Sequence, residues 1–249
     1  MEWYNLILIF ATGLFAGFIN TIAGGGSLIA LPMLIFLGLP STVANATNRV
    51  AIFFQNIFGV AGFKSKGISS WPFSLYLGLI ALVGAIIGAR FAVDIRGELF
   101  NKILAVVMIL VVFITIYKPK AKPQEGSGKE NIWQNILSYG SFFLIGIYGG
   151  FIQAGVGFLI ISSLTFINRF SLVKANATKV MVILIYTSAA LVVFMLEGKI
   201  DWTAGLVLAA GNSLGAWFGS RWSVDKGDKW IKRILVIMVI TLAIKLWFF

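Results

Sequence analysis

Two cations set in apolar sequence carry the chemistry that this chain could perform. Arg49 lies in Ala44-Asn45-Ala46-Thr47-Asn48-Arg49-Val50, and Lys179 lies in Ala175-Asn176-Ala177-Thr178-Lys179-Val180. Each motif falls within a run long enough to cross a bilayer. A charge at membrane depth is expensive, so it usually faces a partner or a water-filled path and marks a transport route. Asn45, Asn48 and Arg49 stand at i, i+3 and i+4 and share one helix face, which Ile52 and Asn56 extend. Arg49 is the ninth residue from Ser41, about 12 Å deep at 1.5 Å per residue. Two readings of that depth stand side by side. The guanidinium faces an anionic ligand, or it holds backbone carbonyls and braces a hairpin.

Glycine-rich breaks accompany the cations. Gly24-Gly25-Gly26-Ser27 and Gly155-Val156-Gly157 each precede a short apolar run, and Asn20 and Gln153 stand before them. Bare backbone N–H groups at the start of a helix attract anions, and Ser27 is a candidate N-cap. Glycine also serves close helix packing. Duplicated and paired with a buried cation, it points to an anion site. The candidate substrate contacts are therefore Asn20, Gly24, Gly25, Gly26, Ser27, Asn45, Asn48, Arg49, Gln153, Gly155, Gly157, Asn176 and Lys179. No catalytic or metal-binding residue and no cofactor is expected. The chain has neither Cys nor His, and none of its nine acids falls mid-membrane. That disfavours thiolate and imidazole chemistry, zinc motifs and a carboxylate-based cation or proton relay.

The elements that position these residues follow from composition. Hydrophobic residues are 59% of 249 and charged ones 12%, roughly half the charged share of a soluble domain. An all-α polytopic membrane protein is expected, with the bilayer as solvent and no nucleic-acid partner. Apolar segments span 3–18, 28–39, 42–63, 72–91 and 99–117. A polar linker follows at 118–131, and the pattern resumes at 132–149, 158–167, 172–196, 202–222 and 230–249. The N-terminus shows no basic region or cleavage site, so the first helix is expected to act as its own insertion signal.

The two halves, 1–117 and 132–249, are copies. At an offset of 131, Gly24 and Gly26 fall on Gly155 and Gly157, Asn45 on Asn176, Trp71 on Trp202, Gly84 and Gly88 on Gly215 and Gly219, and Asp94 on Asp225. A one-residue gap places Arg49 on Lys179. Duplicated halves are common in secondary transporters. The second segment of each half is far shorter than the ~20 residues of a span, so each glycine break is expected to turn a hairpin near the midplane, with Pro32 kinking the first short helix. Gly84, Gly88, Gly215 and Gly219 are read as helix-packing faces. Trp71, Trp202, Trp222 and Trp230 form an interfacial belt. Arg90 with Asp94 and Arg221 with Asp225 are expected ion pairs. If both hairpins return to their own side, the halves are inverted. Lys64, Lys66, Lys174, Arg221 and the linker lysines then gather on one face, 13 cations against five on the other. Lys and Arg concentrate in cytoplasmic loops. This favours inverted repeats in the cell's inner membrane, with the linker cytoplasmic and both termini outside; parallel halves would split the charge more evenly.

The glycine break at 17–27, Ala44-Asn45-Ala46-Thr47-Asn48-Arg49 and its reduced second copy resemble the TauE/SafE family of sulfite exporters, over nearly the whole chain. The resemblance implies a permease for sulfur-containing anions such as sulfite, sulfoacetate or other organosulfonates, with internal duplication. It carries Asn20, Gly25, Asn45, Asn48 and Arg49 over as substrate contacts, with Gln153, Asn176 and Lys179 following from the second repeat. The partners expected are a small anionic substrate and the lipid bilayer, with a homodimer as an open option. The alternatives are a permease for another small anion or solute, or a non-catalytic membrane scaffold.

Overall fold

The computed structural model describes residues 2–103, 106 and 132–248. The 118–131 linker and most of the fifth apolar segment lie outside the described residues. Apolar residues without interruption by polar ones favour helix in lipid, where each backbone group must be satisfied within its own segment. The elements are α1 (Trp3–Ile22), α2 (Ser27–Phe36), α3 (Ser41–Lys64), α4 (Phe73–Val93), α5 (Ile132–Phe151), α6 (Val156–Phe166), α7 (Leu172–Leu196) and α8 (Trp202–Phe248). Residues 97–103 are also helical, and no strand occurs among the described residues. By length and composition, the spans Trp3–Ala23, Phe73–Val93 and Leu172–Leu196 can cross a membrane. Within α8, Gly227 leaves helical geometry (φ 69°, ψ −175°) and divides the element in two, as the separate segments 202–222 and 230–249 anticipate.

α2 and α6 are short, with 10 and 11 residues. The chain folds back at each glycine loop; a Cβ on Gly26 would lie 2.1 Å from the carbonyl oxygen of Ala16 in α1. Gly24 has φ +90° and packs directly on Gly157, where a Cβ would sit 2.4 Å from the Gly157 carbonyl carbon. Only glycine meets both demands, left-handed backbone and close approach. Pro32 lies inside α2 without ending it. Ser27 is the first helical residue and not the cap; Gly26 holds that position and no side chain caps the helix.

The halves interlock. α1 runs parallel to α8, with Gly13 and Gly17 against the Leu208 and Asn212 carbonyls and Gly215 against that of Leu14. α5 runs parallel to α4 in the same way, with Gly84 and Gly88 against Phe143 and Ile147. These close approaches confirm the glycines as helix-packing faces. α3 and α7 cross antiparallel. Arg49, early in α3, lies over the Phe194 ring late in α7, while Gly59, late in α3, packs on Val180, early in α7.

Two expectations about charge are corrected. Asp225 pairs with Lys66 at 2.7 Å and not with Arg221, which lies over the Trp217 ring and donates to Ser65. Arg90 and Asp94 form no ion pair either; the pairs among the described residues are Lys66–Asp225 and Lys102–Glu98. Loops from different helices present closer partners than the next turn does. At the same end, the Asp228 carboxylate accepts from the Leu172 and Val173 amides, so the break in α8 caps the start of α7.

Candidate functional site

The Arg49 side chain is fully buried. Its Nη1 donates to Gly149 O at 2.8 Å and to Gln153 Oε1 at 3.5 Å, and its Nη2 to Gly150 O at 2.6 Å and Phe151 O at 3.3 Å. The last carbonyls of a helix have no partner within it, and here a cation from the other half takes them. Asn45 Nδ2 joins in, donating to Phe151 O at 3.0 Å. The second copy does the reverse. Lys179 Nζ donates to Asn20 O at 2.7 Å, Thr21 O at 2.9 Å and Asn176 Oδ1 at 2.7 Å, and Asn176 Nδ2 donates to Ile22 O at 2.8 Å. Each half thus clamps the end of the other half's first helix.

The clamps revise the internal alignment. Asn20, Thr21 and Ile22 answer to Gly149, Gly150 and Phe151, an offset of 129, whereas Asn45 answers to Asn176 at 131. α3 and α7 are unbroken helices, and a one-residue gap would rotate everything beyond it by about 100°. Trp71 and Trp202 still match at 131, so there is no gap. Lys179 occupies the register of Asn48, and its longer side chain reaches the place that Arg49 fills in the first half. Asn20 and Gln153 are likewise not equivalent in register, since one ends a helix and the other lies in a loop. They nevertheless do the same job. Asn20 Nδ2 donates to Gln55 Oε1 at 3.2 Å, and Gln153 Nε2 donates to the Tyr186 hydroxyl at 2.9 Å.

Gln55 and Tyr186 were not singled out from sequence, although they match at 131, as do Asn56 and Thr187. That offset was the available signal. Asn212 was missed too; its Nδ2 donates to Gln55 Oε1 at 3.2 Å, joining α8 to the network. Asn20 also accepts from Gly26 N at 3.3 Å, so the first glycine loop belongs to the same polar cluster. Gly25, Ser27, Gly155 and Gly157 are buried beside it.

The first-half cluster keeps unspent hydrogen-bonding capacity. Asn45 Oδ1, both polar atoms of the Asn48 side chain and Arg49 Nε are buried without a partner. Their second-half counterparts, Asn176 and Lys179, have every polar side-chain atom engaged. Arg49 brings a cation to this cluster, and no acidic residue is among the buried polar groups of the described residues. Such a place suits a small anion.

The model of the family described as "Sulfite exporter TauE/SafE" matches residues 9–246. The chain belongs to that family. Similar curated proteins include "Probable membrane transporter protein ORF9" of Sinorhizobium sp, 28% identical over 99% of this chain and 94% of that protein. Another is a "Probable membrane transporter protein" of Haemophilus influenzae, 28% identical over 97% and 94%. A third is "Probable membrane transporter protein YfcA" of Escherichia coli K12, 27% identical over 96% and 88%. No solved structure matches. The protein is thus a member of a membrane transporter family, with helices suited to a bilayer.

Proposed function

We propose that the protein exports a small sulfur-containing oxyanion, such as sulfite, sulfoacetate or another organosulfonate, across the inner membrane, binding it between the two halves near the bilayer midplane. The observation that carries this reading is the set of buried, unpartnered polar atoms on Asn45, Asn48 and Arg49. Leaving buried polar atoms without partners costs roughly 1–3 kcal/mol each, a cost that a ligand accepting from Arg49 Nε and Asn48 Nδ2 offsets. In this conformation the terminal guanidinium nitrogens are spent on carbonyls, so Arg49 meets the anion through Nε and its charge.

The antiparallel crossing of α3 and α7 supports inverted repeats, because equivalent helices running oppositely need a two-fold axis across their length. Lys66, Asp225 and Ser65 with Arg221 share one end, and Ser41 with Asn101 marks another place near Lys102. This grouping supports the expected charge split, with Lys66 and Arg221 at one end and Lys102 at another.

The test is efflux of labelled sulfite and sulfoacetate from liposomes holding the purified protein, alongside thermal shift with each anion. Efflux above empty liposomes that falls in Asn48→Leu supports the reading. Binding and efflux equal to the empty-liposome control for both anions would overturn it.

A further inference from the structure

Building on the sulfonate reading, we infer that the carried anion brings a hydroxyl of its own, because the Asn45–Asn48–Arg49 cluster offers acceptors as well as donors. Asn45 Nδ2 is fixed by its bond to Phe151 O, so the orientation of that amide is set and its unpartnered atom is the acceptor Oδ1. Asn45 and Arg49 lie one turn apart and share Phe151 O as a partner, at 3.0 and 3.3 Å. Asn48 precedes Arg49 on the same turn, and both atoms of its amide are unspent. The donors left over are Asn48 Nδ2 and Arg49 Nε. The acceptors left over are Asn45 Oδ1 and Asn48 Oδ1. All three residues are 0% exposed.

A bare sulfonate accepts but cannot donate. It satisfies the donors and leaves both acceptors unmet in a buried site, where an unmet polar group is costly. A ligand O–H meets one of them. An ammonium would also donate, but it would join Arg49 where no acid is buried, and like charges in a low dielectric repel strongly. The hydroxyl is therefore favoured over both. The site belongs to the α3 copy, since Asn176 and Lys179 have nothing left to offer.

The experiment uses three sulfonates of nearly equal size on the purified full-length protein: ethanesulfonate, 2-hydroxyethanesulfonate and 2-aminoethanesulfonate. Dissociation constants come from calorimetry, with thermal shift as a second readout. The hydroxy compound should bind about tenfold or more tightly than ethanesulfonate, the return on one well-made hydrogen bond. In the double variant Asn45→Leu, Asn48→Leu, which removes both acceptors, that ratio should fall toward one. Equal affinity for ethanesulfonate and 2-hydroxyethanesulfonate in the unmodified protein would overturn this inference and leave sulfonate binding standing. Tightest binding of the amino compound would overturn it as well. Binding of none of the three overturns this inference, and the sulfite and sulfoacetate efflux test then decides the export reading separately. The ratio in the unmodified protein decides the matter even if the variant does not fold.

Discussion

Replacing Arg49 by methionine keeps a long side chain and removes the cation. Phe151 O retains Asn45 Nδ2 at 3.0 Å. Gly149 O and Gly150 O, held at 2.8 and 2.6 Å, lose their clamp, and the next amide along, Ile152 N, is already spent on Tyr148 O. Two buried acceptors left bare cost roughly 2–6 kcal/mol together. Removing a buried charge returns part of this, which places the expected loss near the lower half, about 2–4 kcal/mol. For a chain of this size each kcal/mol moves the melting point by about 2–4 °C, so Arg49→Met should melt on the order of 10 °C lower in detergent, followed by tryptophan fluorescence. Arg49→Lys should recover at least half of the loss. The protein already shows the geometry, because Lys179 Nζ spans two such carbonyls at 2.7 and 2.9 Å. An Arg49→Met variant melting within about 2 °C of the parent would refute the clamp, as would a lysine variant no better than methionine.

Gly157→Ala should destabilise far more than Gly38→Ala in the same melting assay. A Cβ at Gly157 meets Gly24 Cα at 2.3 Å, while Gly38 has positive φ but open space; a clash with backbone puts the first at or above the upper end of overpacking, about 3 kcal/mol, against roughly 1–2 kcal/mol for left-handed backbone alone. Equal shifts would mean that the glycine loops are not in contact. Asp228→Ala strips a two-bond cap from α7 and should lower stability by about 0.5–2 kcal/mol, whereas a neutral result would show the cap to be idle. The chain has no native cysteine, so single cysteines report topology cleanly. Glu2→Cys and Gly38→Cys should react with an impermeant thiol reagent from outside, and Gly67→Cys and Ser127→Cys should be shielded. Reaction of Gly38→Cys from the side opposite Glu2→Cys would sink the hairpin, and reaction of Ser127→Cys from outside would sink the orientation.

Much of this architecture is legible in the sequence because lipid makes apolar length a direct signal. The short runs after Gly26 and Gly157 betray α2 and α6, and the glycine stripes betray packing faces, though not which helices they join. Arg49 and Asn48 announce themselves by being polar where polarity is costly. That Arg49 holds backbone carbonyls was one of the two readings its depth left open, and it is the one seen here; which carbonyls was not legible, since they lie 100 residues away and a carbonyl has no letter of its own. The gap before Lys179 was a plausible alignment of like charges. It failed because helix register is rigid while a lysine side chain is long enough to cover one residue's difference. Asp225 was matched to the nearest arginine along the helix, when the loop after α3 brought Lys66 closer in space.

The reciprocal clamps also bear on how the protein is made. Arg49 is synthesised 100 residues before Gly149, and Asn20 waits 159 residues for Lys179. At about 5–20 residues per second, the nascent first repeat stands for about 5–20 s with a bare guanidinium before its own partners exist. The Thr21 and Ile22 carbonyls of its first helix wait longer still for Lys179 and Asn176. Each group is costly to leave facing lipid during that interval, which favours sheltering the first repeat until the second arrives. A chain halted after the first repeat has no way to complete these contacts.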